Sequence, residues 1–373
     1  MDGPHRSTDA AIRSAGPPHL GLVCMTHSER CRFRTVTRSR FLSLDEPTRR
    51  ATLEELYWAN LNRLHATVTF CAEQGIKLYR LTSSLFPMSD EPLGEEVLRG
   101  FTALLTSVGR RVERLGIRVI MHPDQFVVLS SESEQVRATS ARILAKQAMA
   151  MDLLGLPRST WSTLIVHGGK AGRSDLLIES IKALPPVVRS RLSLENDEHA
   201  YSAAEILAVC RAVGVPMVFD NLHHAVREKL ASYDDERVAA MVRAARDTWT
   251  PPEWQVVHLS NGLTKFGDDR HSHLIRQVPP AYSDVNWVEV EAKGKERAIG
   301  DLRRHWSERI RAASHDVPPT PDDLRDAETL AAQAAATRAL TKRKKDAAKA
   351  AEAKQDTKNE PARQKARRAK KAT

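Results

Sequence analysis

The chain has 373 residues, 41% hydrophobic and 28% charged, enough apolar side chains for one large domain or two ordinary ones. Its mean hydropathy is −0.42 and no run approaches the ~18 apolar residues of a spanning helix, which excludes an integral membrane protein. The net charge of +10 is uneven: residues 341–373 hold 13 Lys/Arg against 4 Asp/Glu, leaving the other 340 residues close to +1. Residues 1–18 (MDGPHRSTDAAIRSAGPP) are small, polar and without an apolar h-region, so they read as a disordered segment and not as a secretory signal. Cys24, Cys31, Cys71 and Cys210 form no CxxC pair, and reduced thiols in a cytoplasmic protein are expected.

From His19 the chain alternates short β-branched runs with longer amphipathic stretches. Strands are predicted at His19–Met25, Ile76–Thr82, Arg118–Pro123, Thr163–Gly168, Arg191–Asn196, Pro216–Asp220, Trp254–Ser260 and Trp287–Ala292. Helical patterns fall at Thr52–Gln74, Leu93–Leu115, Glu134–Leu154, Ser174–Ala183, Ala203–Val213 and Asp234–Asp247. Eight β units separated by helix-length connections predict an α/β protein with a (β/α)8 TIM barrel over residues 19–312, the alternative being a doubly wound open sheet. Residues 313–373 form a basic Ala/Lys/Arg-rich tail without an apolar stripe, either a solvated helix or a disordered arm.

A metal-capable side chain stands near the C-terminal end of nearly every later strand: His122 in MHPDQF, His167 in VHGG, Glu195 in LEND, Asp220 and His223 in FDNLHH, His258 in VHLS and Glu291 in EVEAKGKE. In a parallel barrel those ends share one face, the face on which barrel enzymes place their chemistry. Four imidazoles and three carboxylates exceed the ligands of a single catalytic zinc and suit two or more divalent cations, Mn2+, Zn2+ or Fe2+ before Mg2+. Such a cluster suits phosphoryl displacement. Taken singly, a strand-end His such as His258 reads as a hydrogen-bonded structural residue, and Asp220 with His223 as an Asp–His pair. His224 is either a neighbour that supports the ligands from behind or a simply packed residue, and His27, His65, His305 and His315, outside the pattern, read as structural or surface residues. In DDRHSHLI, His271 is the preferred site member over His273 because it follows the seventh strand. Lys293 and Lys295 flank the acidic end of the eighth strand and can neutralise phosphate oxygens, unless they form only an exposed charged loop.

In this order and on these strands, MHPDQF, VHGG, LENDE, FDNLHH, VHLS and VEAKGKE resemble the UV damage endonuclease family (UvsE/UVDE), relatives of endonuclease IV, over about residues 19–312. The resemblance implies a TIM barrel with a cluster of two or three divalent ions, Mn2+ foremost and Zn2+ or Mg2+ as alternatives. It implies incision of duplex DNA immediately 5′ to UV photoproducts and some other lesions, leaving a 3′-hydroxyl and a 5′-phosphate. It places His122, His167, Glu195, Asp220, His223, His258, His271 and Glu291 at the metal positions, with Glu195, His258 and Lys293 as catalytic residues. Gln125 and Phe126 match the family's Gln–aromatic pair that probes the damaged base pair. Two departures stand out: Ser84 where some members carry a histidine, and Val256 where some carry a modifiable lysine.

The segment ERCRFRTVTRSR carries Arg30, Arg32, Arg34, Arg38 and Arg40 just after the first strand, which with Lys295 predicts contact with the phosphates of damaged double-stranded DNA; an ordinary solvated loop is the alternative. The tail would add sequence-independent attraction. A cytoplasmic, nucleoid-associated monomer with no membrane partner is expected, its product passing to a repair nuclease, polymerase and ligase. Competing readings are a xylose-isomerase-like sugar isomerase and a lesion-binding protein with a decayed metal site.

Overall fold

The computed structural model describes residues 17–27, 31–123, 126–315 and 317–369. All eight expected strands are present: β1 (His19–Val23), β2 (Leu78–Leu81), β3 (Arg118–Met121), β4 (Leu164–His167), β5 (Leu192–Glu195), β6 (Met217–Asp220), β7 (Val256–Leu259) and β8 (Trp287–Val290). They pair in parallel in sequence order and β8 closes on β1, so the sheet is a TIM barrel and not an open doubly wound sheet. Both faces of a parallel sheet are buried here, the outer one under helices and the inner one against itself.

The barrel interior is layered. At the N-terminal end the fully buried Arg118 donates to the carbonyls of Trp161 (2.8 Å), Trp254 (2.9 Å) and Thr160 (3.1 Å). Its guanidinium lies 4.7 Å from the Trp161 ring, 5.2 Å from Trp287 and 5.7 Å from Trp249, cation–π contacts that replace part of its lost hydration. Above it Leu78, Ile120, Ile165, Val218 and Val256 pack into an apolar layer. The next inward positions, two residues further along each strand, are polar and line the mouth.

Helix boundaries differ from the sequence pattern in two places. The helix expected from Thr52 starts at Glu46, because Asp45 caps it by accepting from the Thr48 N–H at 2.8 Å and Pro47 suits its first turn. The stretch Leu93–Leu115 is two helices, Pro92–Gly100 and Thr102–Arg114. Gly100 gives weak helical support there, and the Phe101 ring turns edge-on to Tyr57 at 6.4 Å. Helices Glu134–Leu153, Ser174–Ala183, Ala203–Val213 and Glu236–Arg246 stand close to their expected positions. Asn221–Arg227 and Glu296–Arg311 are additional.

The chain divides into two compact units after Pro319. In the second unit the basic segment forms one helix, Pro321–Ala369. Of the segment expected to be disordered, residues 1–16 lie outside the described residues. No helix among the described residues is long and apolar enough to cross a membrane. All four cysteines are free thiols.

Candidate metal centre

Strand register sets the mouth. His167 pairs with Glu195, Asp220 with His258, and His258 with Glu289, so these residues share the inward face at one level. Two asparagines tie the strand ends together where the ladder stops. Asn196 accepts from the Asp220 N–H at 3.0 Å and donates to the Asp220 carbonyl at 3.1 Å. Asn221 does the same for Ser260, at 3.1 and 3.0 Å. A buried side-chain amide thus satisfies backbone groups that would otherwise be stranded, and it fixes Asp220 between its neighbours. In the VHGG turn, a Cβ on Gly168 would lie 2.4 Å from the Tyr201 ring, and Gly169 has φ +89°, so neither position accepts another residue without strain.

Glu195 is the hub. Its side chain is buried; Oε1 accepts from His258 Nδ1 at 2.8 Å, and Oε2 lies 3.1 Å from His122 Nε2 and 3.7 Å from His167 Nε2. His223 Nδ1 is 3.6 Å from Oε1. Two of these rings are oriented by backbone carbonyls: His122 Nδ1 is 2.9 Å from the Pro123 carbonyl, and His223 Nδ1 is 3.0 Å from that of Asn196. A proton on Nδ1 engaged this way leaves Nε2 as the lone-pair donor, the arrangement metal-binding histidines use.

Burial opposes every charge in the cluster, and neighbours decide the outcome. At Glu195 burial is outweighed by His258, His167 and His122, which hold the carboxyl well below the usual range. At Asp220 burial wins, with repulsion from Glu195 and Glu291 added, and the carboxyl is raised. Burial lowers His167, whereas Asp220, Glu195 and Glu198 overcome burial at His223 and push it up to about 9. Environments that pull titratable groups apart in this way are common at functional sites.

Three overlapping sets could hold a cation: His122, His167 and Glu195; Glu195, Asp220 and His223; and Asp220, His258 and Glu291, with the donor atoms of each set within 4.8 Å of one another. Asp220 Oδ2 and His167 Nδ1 are buried and have no hydrogen-bond partner among the described residues. Such groups are costly unless something else satisfies them, and an imidazole–carboxylate donor set suits a divalent transition ion. The residues present therefore fit a metal cluster.

The remaining expected residues are spread around the mouth. His271 stands at the edge, Nδ1 3.9 Å from Glu291 Oε2, and lines a cavity of about 320 Å³ with Val23, Arg80, Glu291, Lys293 and Lys295. Phe126 is 71% exposed, not packed in the core. Gln125 and Arg30 lie outside the described residues. Arg32, Arg34, Arg38 and Arg40 are all exposed, Arg34 paired with Glu55 at 2.6 Å and Arg38 with Asp90 and Glu91. His224 is buried against the Phe219 ring and stays out of the cluster.

Three charged residues not singled out from sequence reach the cluster: Glu198, its Oε2 3.5 Å from His223 Nε2, and two on the strands, Arg80 from β2 and Glu289 from β8. Arg80 Nη1 lies 2.8 Å from Glu289 Oε1 and 2.5 Å from Glu291 Oε1, and Glu289 Oε2 is 3.3 Å from His258 Nε2. Their signal was parity: each stands two residues from another inward position on its strand.

A family model described as UV-endonuclease UvdE matches residues 18–317. The chain belongs to this family. It is 50% identical over 299 residues to the UV DNA damage endonuclease of Nostoc sp., covering 80% of this chain and 93% of that protein. It is also 50% identical over 289 residues to the UV DNA damage endonuclease of Deinococcus radiodurans, covering 77% and 95%. The crystal structure of SacUVDE shares the fold with a TM-score of 0.63 over 79% of this chain and 100% of that one, at 22% identity.

Within this UvdE-family barrel the two departures have defined surroundings. Ser84 sits in a 3-10 turn, its Oγ 3.0 Å from Thr82 Oγ1. Val256 belongs to the apolar layer beneath the mouth. The matched region ends at residue 317, so the basic helix falls outside it.

Proposed function

We propose that this chain is a divalent-metal-dependent endonuclease that hydrolyses the phosphodiester immediately 5′ to UV photoproducts, and to some other lesions, in duplex DNA, leaving a 3′-hydroxyl and a 5′-phosphate. One observation carries the reading: His122, His167, Glu195, Asp220, His223 and His258 converge at one barrel mouth, with Glu195 among four imidazoles. Family membership and the UV DNA damage endonuclease name of the 50%-identical relatives support it.

In this reading those six residues hold the ions, with Glu291 and His271 at the edge of the set. Bound ions, Mn2+ before Zn2+ or Mg2+, would supply positive charge to polarise the scissile phosphate and stabilise its transition state. Glu195 and His258, locked together at 2.8 Å, keep the cluster in one geometry, which is where a preorganised site gains its advantage. Lys293 and Lys295 line the adjoining cavity and are assigned to phosphate oxygens. Phe126, with Gln125, is assigned to the lesion, where an exposed ring can replace lost stacking. Arg30, Arg32 and Arg40 are assigned to the DNA backbone. Arg34 and Arg38 already answer carboxylates, so they shape the loop and reach phosphate only by exchanging those partners. The protein would act as a monomer in the cytoplasm, handing the nick to a repair nuclease, polymerase and ligase.

The test is a labelled duplex carrying one cyclobutane dimer beside an undamaged control, with Mn2+ and then with EDTA. A single metal-dependent cut directly 5′ to the dimer is expected. Incision that survives EDTA, or equal cutting of the undamaged duplex, would overturn the proposal.

A further inference from the structure

We propose that Glu289 is a positioning residue for His258: it holds the Nε2 proton of that ring, so that His258 meets its ion through Nδ1, the opposite nitrogen from the one His122 and His223 present. The inference rests on the metal reading above and adds to it which atom of His258 faces the ion and what fixes it.

His258 is fully buried, so both ring nitrogens need a partner. They face different sides. Nδ1 is turned to two carboxylates of the donor sets, 2.8 Å from Glu195 Oε1 and 3.5 Å from Glu291 Oε1. Nε2 has Glu289 Oε2 beside it at 3.3 Å. Strand pairing places it there, because His258 on β7 and Glu289 on β8 are register partners and Glu291 stands one inward step higher. Nε2 and Oε2 are both buried, and neither makes a hydrogen bond elsewhere among the described residues. A buried donor or acceptor left unmet is costly, so these two atoms serve each other.

Glu289 does not take the place of a ligand. It belongs to none of the three donor sets, and its Oε1 is engaged by Arg80 Nη1 at 2.8 Å. The Arg80 side chain is only 11% exposed and its guanidinium cannot shed its proton, which anchors Glu289 towards β2. The same Nη1 reaches Glu291 Oε1 at 2.5 Å, yet Glu291 keeps Oε2 on the side of His271, 3.9 Å from its Nδ1. His122 and His223 are set the other way round, since their Nδ1 atoms face backbone carbonyls at 2.9 and 3.0 Å and leave Nε2 for the ions. The Nδ1 proton that Glu195 accepts from His258 is the one a bound ion would displace to solvent, while the Nε2 proton stays with Glu289. A carboxylate behind a ligating imidazole fixes its tautomer and makes the opposite nitrogen the better electron-pair donor.

The experiment uses the full chain as wild type, Glu289→Gln and Glu289→Leu. Each is titrated calorimetrically with Mn2+ and analysed for metal per chain at saturation. The imidazole nitrogens of 15N-histidine-labelled, Zn2+-loaded protein are read by NMR, with His258 assigned against a His258→Gln spectrum. Expected in wild type is a His258 ring protonated at Nε2 and coordinated at Nδ1, the reverse of His122 and His223. Glu289→Leu should hold the same number of ions at saturation but bind at least one of them ~10–100-fold less tightly. Glu289→Gln, whose amide oxygen still accepts from Nε2, should recover most of that loss, which a role in packing alone would not predict. Coordination of His258 through Nε2 would overturn the proposal, as would wild-type affinity in Glu289→Leu. Loss of an ion at saturation in Glu289→Gln would also overturn it, by making Glu289 a ligand. Should Glu289→Leu fail to fold, the wild-type ring pattern and the ion count of Glu289→Gln decide. Wild type holding no ion at all would sink the metal reading itself, whereas ions bound with His258 turned the other way would sink this inference alone.

Discussion

Glu195→Gln is the sharpest perturbation of the cluster, because it keeps the shape of the side chain and removes a group that is common to two donor sets, as Asp220 is, and that also touches His258. In wild type both carboxylate oxygens face imidazole nitrogens, His258 at 2.8 Å and His122 at 3.1 Å. An amide placed there turns its NH2 towards one ring whichever way it flips, and it offers a cation one neutral oxygen in place of a charged pair. Changes that only orient a ligand weaken metal binding ~10–100-fold, so loss of the shared charge should reach at least ~100-fold, or ~2.7 kcal/mol. At a Mn2+ concentration ~100 times the wild-type Kd, the wild-type fold gains ~2.7 kcal/mol from the metal and the variant only ~0.4 kcal/mol. For a domain of this size that corresponds to a Mn2+-induced Tm rise of ~5 °C against ~1 °C. Thermal unfolding at fixed Mn2+, each protein against its own EDTA control, reads the difference directly. Because each protein is its own control, any change in metal-free stability from removing a buried carboxylate cancels. Equal Mn2+-induced shifts in the two proteins would refute Glu195 as the shared ligand.

Phe126→Ala should leave stability within ~0.5 kcal/mol, since the ring is 71% exposed, yet weaken binding to dimer-containing duplex ~10–100-fold with no effect on undamaged duplex; equal loss on both would make the ring a general DNA contact. Arg118→Leu strands three carbonyls at the far end of the barrel and should destabilise it by ~3–5 kcal/mol in urea, while incision per folded molecule holds; a drop in that ratio would show the two ends of the barrel to be coupled. A chain ending at Pro319 should bind DNA with a shallower dependence on salt and incise saturated substrate at the wild-type rate, checked by titration at several salt concentrations.

The barrel was legible because strand propensity and helix-length spacing repeat eight times, and one topology satisfies that repeat with both sheet faces covered. His122, His167, Glu195, Asp220, His223 and His258 were legible because strand ends in a parallel barrel share one face. Arg80 and Glu289 escaped for a related reason. In WVEVEA the alternation of polar and apolar residues looks like a strand with one wet face, and in KLYRLT one arginine shares a face with Leu78. In a closed barrel neither face is wet, and the polar face is the interior. The inference available from Glu291 was that Glu289, with the same parity one step down β8, also points inward, and that a buried glutamate needs a cation nearby.

The arginine segment shows the opposite limit. Read by itself, ERCRFRTVTRSR is a run of positive charge awaiting a polyanion. Folding brings Glu55, Asp90 and Glu91 against Arg34 and Arg38, neutralising charges that looked free from local sequence. Local charge counting therefore overstates a DNA-binding surface wherever a long helix and a following loop return carboxylates to it. The same long-range return works inside the barrel, where Arg80 meets Glu289 and Glu291 from the far end of the domain. Ligand types follow from strand-end positions, but which charges meet at the mouth is a property of the closed barrel, because closure sets β8 beside β1 and so brings Glu289 and Glu291 within reach of Arg80 on the neighbouring β2.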